Sequence, residues 1–250
     1  MNSTTREQRL LTWAGIAGLI GALGWFIGDV LIVGHVAERT AFPLLFQTYA
    51  SQIDADMAER LVGISSARLI AGALFAVFTI PLYLIGGWHL WRGIRPAGPA
   101  WAVPAAALIF VGYALAPLAH AAFYFVGAVY QTILITDPSA HPQLLALANE
   151  FHHVLMIVYV PAVACQFLGM LAFSLAVATG RSVYPRWFAW TSNPLVLCVF
   201  TIGVPHLMGG WLGDALASAA FNTTWMLVYL QSLLLFHKNP AARAAIPPHQ

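Results

Sequence analysis

Residues 100–134, AWAVPAAALIFVGYALAPLAHAAFYFVGAVYQTIL, run without a single Asp, Glu, Lys or Arg. About 20 apolar residues suffice for a helix to cross the hydrocarbon of a bilayer. This stretch exceeds one straight crossing and contains Pro104 and Pro117. It therefore predicts a span that is kinked or protrudes from the membrane.

Outward from it, five more apolar stretches meet the same length, roughly 10–34, 64–91, 147–179, 187–209 and 211–236. The composition agrees: 60% of the residues are hydrophobic and 8% charged, with a mean hydropathy of +0.76. A water-soluble fold of this size would have to expose that apolar surface, so the solvent is lipid. The expected fold class is an all-α polytopic transmembrane bundle of six spans. Residues 1–240 form one transmembrane domain, and 241–250 a short polar cytoplasmic tail. The first span exceeds a signal-peptide core and lacks a convincing cleavage site, so it is expected to stay uncleaved. Gly209 and Gly210 alone separate the last two spans, which fits a tight helical hairpin.

Orientation follows from the cations of the short loops. Arg6 and Arg9, Arg92 and Arg95, Arg181 and Arg186, and Lys238 and Arg243 all fall on one side of a six-span chain. That side is the cytoplasm, with both termini in it. The first outer loop balances Arg39 and Arg60 with Glu38, Asp54, Asp56 and Glu59. Within it Phe42, Leu45, Phe46, Tyr49, Ile53 and Met57 recur at helical spacing, predicting an amphipathic helix on the outer surface. A net charge of +2 offers no basic surface for nucleic acid. Cys165 and Cys198 sit in apolar runs and read as buried thiols. Ala17, Gly21, Gly24 and Gly28 form a small-residue stripe on the first span, for packing within the bundle or between copies in a homo-oligomer.

An ionisable side chain in hydrocarbon costs at least about 2.5 kcal/mol, so each one retained asks for a partner or a role. These groups gather toward the outer side. Asp29 lies near the end of span one and Arg68 at the start of span two. His120 and Tyr124 lie in span three, Glu150 and His153 open span four, His206 closes span five, and Asp214 and Asn222 begin span six. The inner half holds little beyond Asn193 and a snorkelling His89. This distribution favours a site open to one side over a transmembrane channel. Helix-end capping, and an Asp29–Arg68 ion pair, are the structural alternatives.

Three chemistries use such a set. In the first, Glu150 or Asp29 donates a proton and His153 and His120 serve as base or partner. Tyr124, His206, Asp214, Asn222 and Arg68 would position a hydrophobic, isoprenoid- or lipid-like substrate, with Trp25, Trp211 and Trp225 lending π faces to a cation, as in an isomerase or cyclase. No cofactor is needed for this. In the second, His120, His153 and His206 hold zinc for a hydrolase; in the third, two histidines ligate haem. Outside enzymology, the same pocket would suit a lipid or small-molecule binding protein or transporter.

Gly28-Asp29, His120, Pro185-Arg186-Trp187, Asn193-Pro194 and Asn222 resemble an uncharacterised family of bacterial multi-pass membrane proteins. The resemblance spans most of the chain. It implies a bacterial inner membrane setting and no particular reaction.

Overall fold

The structure, a computed structural model, describes residues 3–238. The polar tail expected over 241–250 lies outside the described residues. Within them the chain is helical: α1 (Ser3–Val33), α2 (Ala55–Leu61), α3 (Ser66–Ile94), α4 (Pro99–Ile133), α5 (His141–Ala178), α6 (Phe188–Thr191), α7 (Pro194–Met208), α8 (Gly210–Ser218) and α9 (Ala220–Lys238). Among the described residues α1, α3, α4 and α5 are each long and apolar enough to cross a membrane, and α8 with α9 add a fifth span if that pair is counted as one. The outward faces of α3, α4 and α5 carry Phe78, Leu118 and Val160, all more than half exposed.

Local signals explain most boundaries. Ser65 accepts a hydrogen bond from the Arg68 backbone N–H and starts α3, and Asp54 does the same for α2 through Met57. Gly98 takes φ +97°, a conformation that favours glycine, and Pro99 follows as the first residue of α4. Both Pro104 and Pro117 are accommodated inside α4, which continues unbroken to Ile133. At 35 residues it is about 52 Å long. That is longer than one straight crossing of a hydrocarbon core of about 30 Å needs.

The six-span expectation is met only in part. The stretch 187–209 is interrupted: α6 ends at Thr191, and α7 restarts at Pro194 with only 15 residues. Asn193 causes the break, because its side chain accepts from the Leu195 N–H and caps a new helix whose first residue is proline. The stretch 211–236 is bent by 67° between α8 and α9. The Gly209–Gly210 turn is as the sequence indicated, with both residues at φ +62°. Gly213 lets α8 close back, since a Cβ there would stand 2.5 Å from the Pro205 carbonyl.

The amphipathic helix expected over 42–57 is a correction. The loop instead forms two short turns, Arg39–Ala41 and Leu44–Thr48, followed by α2. Its side chains find tertiary partners in place of a lipid surface. Leu45 is fully buried, Tyr49 O–H meets His141 Nδ1 at 2.9 Å, and Arg39 pairs with both Asp56 and Glu59 at 2.6 Å.

The glycines of the α1 stripe, Gly21, Gly24 and Gly28, pack within the chain against α3, and the neighbouring Gly18 packs against α9. A Cβ on Gly21 would sit 2.9 Å from the Tyr83 backbone nitrogen, and one on Gly18 would run into the Tyr229 ring at 2.4 Å. On the facing helix, a Cβ on Gly86 would lie 2.4 Å from the Gly18 Cα. The apolar interior forms two clusters. One surrounds Tyr83, Tyr113, Phe173, Trp225 and Tyr229; the other, toward the long loop, surrounds Leu45, Leu61, Val126, Tyr130 and Leu155.

Candidate functional site

A cavity of about 160 Å³ opens where the two clusters meet. It is built from α1 (Trp25, Asp29, Ile32, Val33), α4 (Ala116 to Phe123), α5 (Tyr159 to Gln166) and the bend between α8 and α9 (Ser218, Phe221, Asn222). Its polar wall is one connected network. His120 Nε2 lies 3.1 Å from Asp29 Oδ1. Asn222 Nδ2–H donates to Asp29 Oδ2 at 2.6 Å, and Tyr83 O–H donates to Asn222 Oδ1 at 2.7 Å.

The network fixes its own polarity. A tyrosine hydroxyl donating to the amide oxygen leaves the amide N–H₂ to face the carboxylate, and the reverse orientation would set oxygen against oxygen. Asp29 therefore accepts on Oδ2, and its Oδ1 anchors the imidazole through Nε2. Trp25 braces the ring from the side, edge to face at 4.9 Å. His120 and Trp25 are each only 6% exposed, and among the described residues His120 Nδ1 and Trp25 Nε1 have no hydrogen-bond partner. A second polar set borders the cavity, where Trp225 Nε1–H donates to Gln166 Oε1 at 3.1 Å.

Of the residues singled out from the sequence, Asp29, His120, Asn222 and Trp25 line this cavity, and Trp225 stands one hydrogen bond away through Gln166. The others lie elsewhere. Glu150 and His153 are exposed on α5; the neighbouring His152 is half-buried, 3.4 Å from Asp54. Tyr124 is half-buried against Phe125, at 5.4 Å between ring centroids. His206 and Trp211 are exposed at the α7–α8 turn, and Asp214 is half-buried on α8 without lining the cavity. Asp214 and Asn222, expected together at the start of one span, lie on α8 and α9, which the bend at Ala219 separates.

Arg68 does not pair with Asp29. Its guanidinium donates to the carbonyls of Leu31 and Val30, at 2.9 and 3.0 Å, and so satisfies the end of α1. Among the described residues no three of His, Cys, Asp and Glu gather in a metal-ligating group. His120, His153 and His206, which a zinc hydrolase would need together, are divided between a buried cavity wall and exposed helix faces.

The other half of the bundle is more polar than its sequence suggested. His89 does not snorkel: it is fully buried, with Nδ1 2.8 Å from the Leu11 carbonyl and Nε2 2.7 Å from Ser232 Oγ, which also meets the Tyr184 hydroxyl at 2.8 Å. Nearby the buried Arg92 pairs with Glu7. Between these groups and the cavity, the Tyr113 and Tyr229 hydroxyls meet at 3.1 Å. Reasoning from charge passes over Tyr83, Tyr159 and Gln166, because none of them ionises readily. For Gln166, a polar amide in the middle of an otherwise apolar run is the signal that the sequence offers.

The chain belongs to the family of unknown function DUF6796, whose model matches residues 1–239. No curated protein and no solved structure matches it.

Proposed function

We propose that this protein is an integral membrane enzyme that performs general acid and base chemistry on a small apolar group delivered from the lipid. The Asp29–His120 pair in the cavity wall carries this proposal. A carboxylate holding one imidazole nitrogen leaves the other to exchange protons, and the hydrogen bonds from Asn222 and Tyr83 hold the carboxylate still. The pair gives a proton to the substrate and recovers one from it, so the site ends as it began. That is the requirement of an isomerase or cyclase, which consumes no co-reactant. Glu150 and His153 have no part in this version.

The cavity supports a lateral approach. Tyr159 lines it and is 40% exposed, in the company of the exposed Met156, Ile157 and Val160. In a bilayer these side chains meet acyl tails, so the substrate comes from the membrane and not from water. The topology proposed with this function has six crossings, counting the broken α6–α7 segment as the fifth, with both ends in the cytoplasm of a bacterial cell. Asp29 then lies in the outer half of the inner membrane.

Deuterium incorporation tests the chemistry across a whole pool of lipids at once. Purified protein is incubated with a bacterial lipid extract in D₂O, and the lipids are analysed by mass spectrometry. A lipid species that gains deuterium with the native chain and not with His120→Ala is the expected result. Absence of any protein-dependent exchange would leave the cavity as a binding or transport site and remove the catalytic proposal.

A further inference from the structure

We infer that the end of the bundle where α3 and α5 finish binds the phosphate of an anionic phospholipid, with Arg181 and Arg186 as donors and Arg95 on the adjoining helix end. The inference is independent of the cavity. Backbone contacts bring this surface together. The Val183 N–H donates to the Gly93 carbonyl at 3.0 Å, so the loop that follows α5 rests on the last turn of α3, two residues before Arg95. Tyr184 pins that loop from inside: it is buried, and its hydroxyl lies 2.8 Å from Ser232 Oγ on α9. Gly180, at φ +72°, turns the chain out of α5, and the Arg186 guanidinium folds back into the place that a Cβ on Gly180 would take. Arg95 lies over the Trp91 ring, 5.8 Å from its centroid.

The balance of charge sets this end apart. Of the nine Asp and Glu residues in the sequence, Glu7 alone lies here, and it pairs with the buried Arg92. The other eight belong to the cavity wall, to α8 or to the opposite end. Among the described residues the guanidinium groups of Arg95, Arg181 and Arg186 therefore have no ion pair, and they make no hydrogen bond. Arg181 and Arg186 are exposed. The arginines of the opposite end are all engaged. Arg39 pairs with Asp56 and Glu59, Arg60 donates to the Val33 carbonyl at 3.1 Å, and Arg68 donates to the carbonyls of Leu31 and Val30. A guanidinium presents a planar fork of N–H donors that matches the oxygens of a phosphate.

The neighbours of these cations select a lipid over a soluble anion. Trp187 and Trp190 follow Arg186 in the chain and are 51% and 69% exposed. Indole rings settle at the headgroup level of a bilayer, so the arginines stand at the depth of lipid phosphates with apolar surface directly beside them. A phospholipid fits both parts, its phosphate on the guanidinium groups and its glycerol and first acyl carbons on the indoles. In the topology proposed above this end faces the cytoplasm, whose leaflet carries the anionic lipids. Each arginine near an anionic surface strengthens association roughly fivefold.

The test titrates the full chain, in a neutral detergent, with dioleoylphosphatidylglycerol and separately with dioleoylphosphatidylcholine. The two share their tails and differ in headgroup charge. Bound lipids are counted by native mass spectrometry. The first phosphatidylglycerol should bind at least roughly tenfold more tightly than the first phosphatidylcholine. Replacing both exposed arginines, Arg181→Gln with Arg186→Gln, should remove at least roughly tenfold of that preference, whereas Arg39→Gln at the opposite end should leave it unchanged. A measurement on the native chain alone guards against a variant that fails to fold: more ammonium acetate should shrink the preference, because salt screens exposed charges. Equal binding of the two lipids, a preference that survives the double replacement, or one that ignores salt would each overturn the inference. So would displacement of phosphatidylglycerol by an equal concentration of inorganic phosphate, which would make this a site for the free anion.

Discussion

Replacing Asn222 by Leu removes two hydrogen bonds at once from the cavity wall. The first is the 2.6 Å bond to Asp29 Oδ2 and the second the 2.7 Å bond from the fully buried Tyr83. A hydrogen bond to a charged group contributes about 1.5–3 kcal/mol, and a neutral interhelical bond in a membrane about 0.6–1.7 kcal/mol. Leucine keeps asparagine's branched skeleton of four side-chain heavy atoms, so the shape of the site is largely retained. The expected loss is therefore about 2–5 kcal/mol, and part of it reflects the Tyr83 hydroxyl left unpaired. That part can be isolated. Tyr83→Phe removes the hydroxyl, so the double variant should be more stable than the sum of the single losses by about 1 kcal/mol. The assay is reversible unfolding in mixed micelles with increasing SDS, followed by far-ultraviolet circular dichroism. A loss under about 0.5 kcal/mol for Asn222→Leu, or strict additivity in the double variant, would refute the network as the brace of Asp29.

Gly86→Ala should cost about 1–3 kcal/mol in the same unfolding assay, because its Cβ would stand 2.4 Å from the Gly18 Cα and two backbones must separate. Wild-type stability would show that the α1–α3 contact is looser than described. Gly209→Ala places a side chain at φ +62° and should cost roughly 1–2 kcal/mol by the same measure. His89→Leu should cost about 1–3 kcal/mol by removing the bonds to the Leu11 carbonyl and Ser232 Oγ; an unchanged midpoint would mean that this histidine is not a bridge. In the loop before α5, hydrogen bonds from Ser139 hold the Asp137 carboxyl below its usual range. Its contribution to loop order is complete above the ordinary carboxylate value and is lost as the pH falls through the depressed one. An NMR titration of Asp137 should give a midpoint below that of a model peptide, and Ser139→Ala should raise it.

Helices long and apolar enough to cross a membrane, the helical class and the ends of the long helices are legible in residues 100–134 and their counterparts, since length and hydropathy decide them. Asp29, His120, Trp25 and Asn222 are legible as costly groups in apolar runs. Their meeting is not, because it depends on which helices are neighbours. Glu150 and His153 show the reverse error. Their spacing places them on one helix face, but spacing does not say whether that face looks inward, and here it looks out. The bend at Ala219 has no proline or glycine within its immediate break, Ser218 to Ala220. It comes from tertiary packing: the turn at Gly209 folds α8 against the end of α7 while Thr224 on α9 meets Thr201 of α7 at 3.2 Å. His89 reads as a snorkelling side chain in the sequence because its partners, Leu11 and Ser232, lie toward the two far ends of the chain.

The contact between α1 and α3 has a mechanical consequence. Helices usually touch through a layer of side chains that can change rotamer and absorb small displacements. At Gly18 and Gly86, and again at Gly28 and Gly72, this layer is missing, and a Cβ at Gly28 would already lie 3.0 Å from the Gly72 carbonyl. Backbone rests on backbone, so the pair can neither slide nor approach without a collision and acts as a single stiff post. Asp29 and Trp25 are mounted on that post. Any breathing of the cavity must then come from its other walls, α5 carrying Tyr159 and the bent α8–α9 pair carrying Asn222, which turn about a fixed carboxylate.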